Sequence, residues 1–122
     1  MELTPSLIAV IAIALIVVFL LGFRLTRSGR PYSGLILTVH KLAALAVLVI
    51  LALLVGRAAR TAPLDAVVWI ASLSAAVFFV VAIISGGLLS TDKTLPPAIK
   101  ALHRVSPFLA VLAGAATLVL LP

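Results

Sequence analysis

Four uninterrupted apolar runs occupy almost the whole chain, over residues 5–23, 34–55, 64–89 and 97–121. Each has about the 18 to 25 residues needed to cross roughly 30 Å of hydrocarbon, and none alternates polar and apolar residues as a barrel strand would. Backbone N–H and C=O groups in lipid must be satisfied within their own segment, so each run is expected to be an α-helix. The connections are short and carry turn chemistry, such as Arg27-Ser28-Gly29-Arg30-Pro31 and Ser90-Thr91-Asp92-Lys93-Thr94. Links of that length hold successive helices side by side and antiparallel. The expected fold is therefore all-α, an integral membrane four-helix up-and-down bundle, with residues 1–122 as a single domain.

Composition removes the soluble alternatives. Of 122 residues, 65% are hydrophobic and 10% charged, which is too little polar surface to cover a water-soluble core. There is no cysteine, hence no disulfide framework, thiolate metal site or cysteine nucleophile. The net charge of +6 could point to nucleic acid, but the basic residues are scattered among apolar runs and form no stripe, so no nucleic-acid partner is expected.

Topology accounts for the basic residues better. The side holding the first and third connections carries seven, Arg24, Arg27, Arg30, Lys41, Lys93, Lys100 and Arg104, and the side holding both termini and the second connection carries two, Arg57 and Arg60. In a bacterial-type inner (plasma) membrane this bias places the first and third connections in the cytoplasm and both termini outside. Basic residues follow the first run and do not precede it, so that run is expected to be a retained helix and not a signal peptide.

The two histidines, His40 and His103, both fall inside expected membrane helices. Each lies six residues past the start of its run, Gly34 or Pro97, and so on the order of 9 Å into the helix. The second and fourth helices run in the same direction, which sets both rings at one depth on the basic side. A weak internal repeat supports the match: Gly22 precedes His40 by 18 residues, Gly86 precedes His103 by 17, and a cation, Lys41 or Arg104, follows each histidine directly. Parallel repeats in membrane proteins are related by an axis along the membrane normal, and such an axis would turn the two imidazoles toward each other. Two facing imidazoles make a bis-axial site for a haem iron, with His40 and His103 as the metal ligands.

Other residues at this level fit that expectation. Ala44, Ser106 and Gly86 are small enough to leave room for a macrocycle, and Phe19, Phe23, Phe78 and Phe79 could pack near a flat ring. Lys41, Lys93, Lys100 and Arg104 are placed to pair with two propionates. Pro107 cannot donate to the carbonyl of His103 and is expected to loosen the helix there.

The segments Thr38-Val39-His40-Lys41 and Leu102-His103-Arg104, paired at one depth on alternate helices, resemble one site of the bis-histidine b-type membrane cytochromes, a cytochrome b-like group with ascorbate-dependent and ferric-reductase relatives. The resemblance implies one low-spin haem b and single-electron transfer with a quinone or a membrane redox partner. Members of that group usually hold two haems on four ligands; the first and third runs here contain no histidine, so a single site is implied.

Other readings compete with this one. A membrane histidine can simply hydrogen-bond a neighbouring helix, and a magnesium tetrapyrrole would need only one histidine per ring. Zinc or copper would find two histidines an incomplete site. The three acids, Glu2, Asp65 and Asp92, lie far apart near termini or connections, which makes an electron carrier the better expectation than a stand-alone enzyme. The main alternative function is a cofactor-free structural or assembly subunit of a larger membrane complex. A transporter would need a polar pathway, and beyond Ser6 at the very start of the first, the first and third helices supply only Ser72, Ser74 and Ser85 within their spans.

Overall fold

The computed structural model describes residues 3–122; Glu2, one of the three acids, lies outside them. Four helices follow in order, α1 (Pro5–Ser28), α2 (Gly34–Thr61), α3 (Ala66–Leu89) and α4 (Pro97–Leu120), with no strand among the described residues. All four are long and apolar enough to cross a membrane; 24 residues at 1.5 Å each give about 36 Å. Large apolar side chains face outward throughout, among them Leu35, Leu112 and Val119. Lipid, not water, is the solvent for such a surface, and the chain is a multi-pass membrane protein.

Local chemistry sets the helix ends. Thr4 is extended and its hydroxyl oxygen accepts the Leu7 N–H at 3.3 Å, with Pro5 in the first turn where no intrahelical donor is required. Gly29 ends α1 at φ 65, a left-handed backbone that suits glycine, and its N–H donates to the Leu25 carbonyl. Asp65 precedes α3 in extended conformation, and Pro96-Pro97 opens α4.

Several ends differ from the apolar runs. α1 continues from 23 to Ser28 and α2 from 55 to Thr61, so Arg24, Arg27, Arg57 and Arg60 are helical and not in connections. Hydropathy marks where hydrocarbon stops, whereas the helix continues into the headgroup layer on residues such as Arg, Leu and Ala, which favour helix. α3 starts at Ala66 because Pro63 and Asp65 shape the turn before it, and α4 stops at Leu120.

The chain divides within α2 into two compact units, one through Ile50 and one from Leu51 to Pro122. In the first, α1 turns through Gly29–Ser33 into α2, and α1 buries Ile11 and Leu25. The second contains the end of α2 with α3 and α4. There α3 buries Val68, Ser72, Ala75 and Phe79, and α4 buries Ser106, Ala110, Gly114 and Thr117, each set recurring every three or four residues along one face; Ser85, six residues beyond Phe79, is buried as well. α3 and α4 pack together. A β-carbon on Gly114 would lie 4.0 Å from Cε2 of Phe79 and 3.8 Å from Cδ2 of Leu51, ordinary van der Waals distance, so this seam is closely filled.

Candidate functional site

In the first unit the sequence brings His40 of α2 against α1. Its Nδ1 lies 2.9 Å from the Val18 carbonyl oxygen. A carbonyl can only accept, so Nδ1 carries the proton and donates, and in the neutral ring the lone pair resides on Nε2. One turn beyond Val18 is Gly22, where a β-carbon would stand 3.0 Å from Cε1 of His40. The missing side chain is what lets the ring approach the α1 backbone this closely.

The second unit repeats the arrangement. Nδ1 of His103, on α4, donates to the Ala82 carbonyl of α3 at 2.9 Å, and one turn on, Gly86 faces the ring so closely that a β-carbon would fall 2.6 Å from Cε1. The two hairpins thus hold their histidines by one device: a carbonyl clamps Nδ1, and a glycine one turn later makes room for the ring. Interhelical hydrogen bonds in a membrane contribute roughly 0.6 to 2 kcal/mol each, so each clasp orients its ring and also strengthens its hairpin.

Ser85 adds a contact on the second side. Its hydroxyl donates to the Val81 carbonyl at 2.6 Å, and its oxygen lies 3.2 Å from Nδ1 of His103. Since that nitrogen already carries the proton that it gives to Ala82, Ser85 can only accept from it.

The other expected site residues are placed as follows. Gly86 touches the ring of His103 itself, so its place in the geometry is to seat that histidine. Ser106, on the turn after His103, is buried and its hydroxyl makes no hydrogen bond, as an atom waiting for a polar partner would be. Ala44 is half-buried, and Lys41, Lys100 and Arg104 are exposed beside the histidines. Pro107 sits inside α4 as expected. The phenylalanines are dispersed: Phe23 is exposed under the Arg27 guanidinium at 5.7 Å, and Phe79 packs at Gly114. Trp69 is partly exposed in the first turn of α3, the position of an interfacial anchor.

The sequence alone did not point to the Val18 and Ala82 carbonyls or to the accepting role of Ser85. A backbone acceptor carries no residue signature; the glycine one turn further along each helix was its only trace.

Among the described residues no three His, Cys, Asp or Glu side chains gather where they could hold a metal ion. A bare divalent ion would find an incomplete ligand set at either histidine, whereas a tetrapyrrole brings four equatorial nitrogens of its own and asks the protein only for axial donors. An imidazole with Nδ1–H clamped by a carbonyl is the arrangement second-shell partners impose on metal-binding histidines, fixing tautomer and ring angle. The donor set therefore fits a tetrapyrrole-bound metal. No family model, curated protein or solved structure matches the chain.

Proposed function

We propose that this chain is a small membrane b-type cytochrome in which His40 of α2 and His103 of α4 would hold one haem b. The observation that carries the reading is the duplicated clasp: His40 on Val18 with Gly22 at its edge, and His103 on Ala82 with Gly86 at its edge. Donation to a carbonyl puts the lone pair of both neutral rings on the same nitrogen, Nε2, which is the atom a haem iron would need from each.

When bound, the haem supplies one-electron chemistry. The chain's own residues fix each imidazole as the Nδ1–H tautomer and hold it against one neighbouring apolar helix, His40 on α1 and His103 on α3. Lys41, Lys93, Lys100 and Arg104 are disposed to pair with propionates, and Ala44 and Ser106 are small enough to admit a macrocycle edge. A single haem near one face calls for a partner, either a quinone in the bilayer or a membrane redox protein. The bias of basic residues puts that face, with the first and third connections, on the cytoplasmic side of a bacterial-type plasma membrane, and both termini outside.

Titrating haem into the detergent-solubilised protein tests this. A Soret band that saturates at one haem per chain, and that neither His40→Ala nor His103→Ala develops, is the expected result. A wild-type chain that takes up no haem would reduce both histidines to hairpin clasps and favour the cofactor-free assembly subunit.

A further inference from the structure

The two clasps differ in one residue. The position before Gly86 is Ser85, and its counterpart before Gly22 is Leu21, which has no hydroxyl. Ser85 is 3% exposed. Its proton is directed to the Val81 carbonyl at 2.6 Å, with the Ala82 carbonyl a longer acceptor at 3.2 Å, so toward Nδ1–H of His103, also at 3.2 Å, the hydroxyl oxygen can only accept, beside the Ala82 carbonyl that takes the same N–H at 2.9 Å. One N–H thus meets two acceptors, and the hydroxyl is held as an acceptor because its own hydrogen is committed elsewhere. In hydrocarbon no water competes for these groups, so the polarisation of one bond by the next is retained.

We infer that Ser85 is a positioning residue that makes His103 the stronger electron donor of the pair. This rests on the haem reading above. Drawing Nδ1–H toward two acceptors gives the ring imidazolate character and would make Nε2 the stronger electron donor to a bound iron. Stronger donation favours the ferric over the ferrous state, so the serine is expected to lower the reduction potential.

The test is an equilibrium redox titration and low-spin EPR of the haem-loaded protein, wild type against Ser85→Ala and Ser85→Thr, together with ¹⁵N NMR of the haem-free protein labelled at histidine. Ser85→Ala is expected to raise the ferrous-to-ferric ratio about threefold at fixed ambient potential, which at 59 mV per decade for one electron is a positive shift of about 30 mV. Its g-values should move with the potential, and Ser85→Thr should restore both. In the haem-free protein, the His103 Nδ1 resonance should shift in Ser85→Ala while that of His40 stays in place. Ser85→Cys, close in volume and a weaker acceptor, should also shift the potential positively, so the comparison survives if the alanine variant fails to fold. Unchanged potential and g-values in a haem-loaded Ser85→Ala or Ser85→Cys protein would overturn the role of Ser85 alone; a wild-type chain without haem would overturn the reading beneath it.

Discussion

Gly86 and His103 occupy what would otherwise be one space: a β-carbon on the glycine would lie 2.6 Å from Cε1 of the imidazole. Atoms do not approach that closely, so any larger residue at 86 must push the ring off the Ala82 carbonyl. Gly86→Ala is expected to cost about 1–3 kcal/mol as overpacking and, where that cost falls on the liganded form, to weaken haem binding by about five- to hundredfold, at 1.4 kcal/mol per decade. The next residue is the control. A β-carbon on Gly87 meets nothing within 4 Å, and Gly87→Ala should bind haem as wild type while gaining up to about 1 kcal/mol of helix stability. Haem titration and thermal melts in detergent read both. Equal loss of haem in the two variants would contradict the seating role.

The first clasp is looser. At Gly22 the β-carbon would stand 3.0 Å from Cε1 of His40, a distance that a few tenths of an ångström of movement relieves. Gly22→Ala should therefore impair haem binding less than Gly86→Ala, in the same titration. The reverse order would show that the two hairpins do not hold their rings by the same device.

Ser106 allows a test whose sign is informative. Its buried hydroxyl makes no hydrogen bond to the protein, and leaving such a group unsatisfied costs about 1–3 kcal/mol. Ser106→Ala should accordingly raise the melting temperature of the haem-free protein. If the hydroxyl meets a polar partner once haem is bound, the gain should shrink or vanish in the loaded form. A lower melting temperature for the haem-free alanine variant would show that the hydroxyl is already satisfied.

Orientation is accessible because the chain has no cysteine. Single cysteines introduced at Ser33, Ala62 and Thr94 report the three connections. An impermeant maleimide added from outside intact cells should label Ala62→Cys and leave Ser33→Cys and Thr94→Cys unlabelled until the membrane is opened. Labelling of Ser33→Cys from outside would reverse the orientation inferred from the basic residues.

The helices were legible in the sequence because lipid imposes two demands at once, length and apolarity, and the four runs meet both. Their ends were less so: Arg24 to Ser28 and Gly56 to Thr61 are helical although no apolar run reaches them, since the headgroup layer satisfies charge without ending a helix. At the site, His40 and His103 stood out because ionisable side chains are rare in membrane spans, and Gly22 and Gly86 because each precedes its histidine at nearly the same spacing. What the glycines do was not legible. The small size of Gly86 suggests room for a macrocycle, whereas in the fold it makes way for the ring of His103. The carbonyls of Val18 and Ala82 were invisible because every residue has one, and only the packing of two helices decides which of them an imidazole meets.

Whether His40 and His103 hold a haem is read from a reduced-minus-oxidised absorption spectrum of the protein purified from haem-sufficient cells, with haem quantified as its pyridine haemochrome. The expected result is a low-spin b-type spectrum at about one haem per chain, absent from both His40→Ala and His103→Ala. A colourless wild-type protein, or a single-histidine variant that keeps the low-spin spectrum and full haem content, would contradict it.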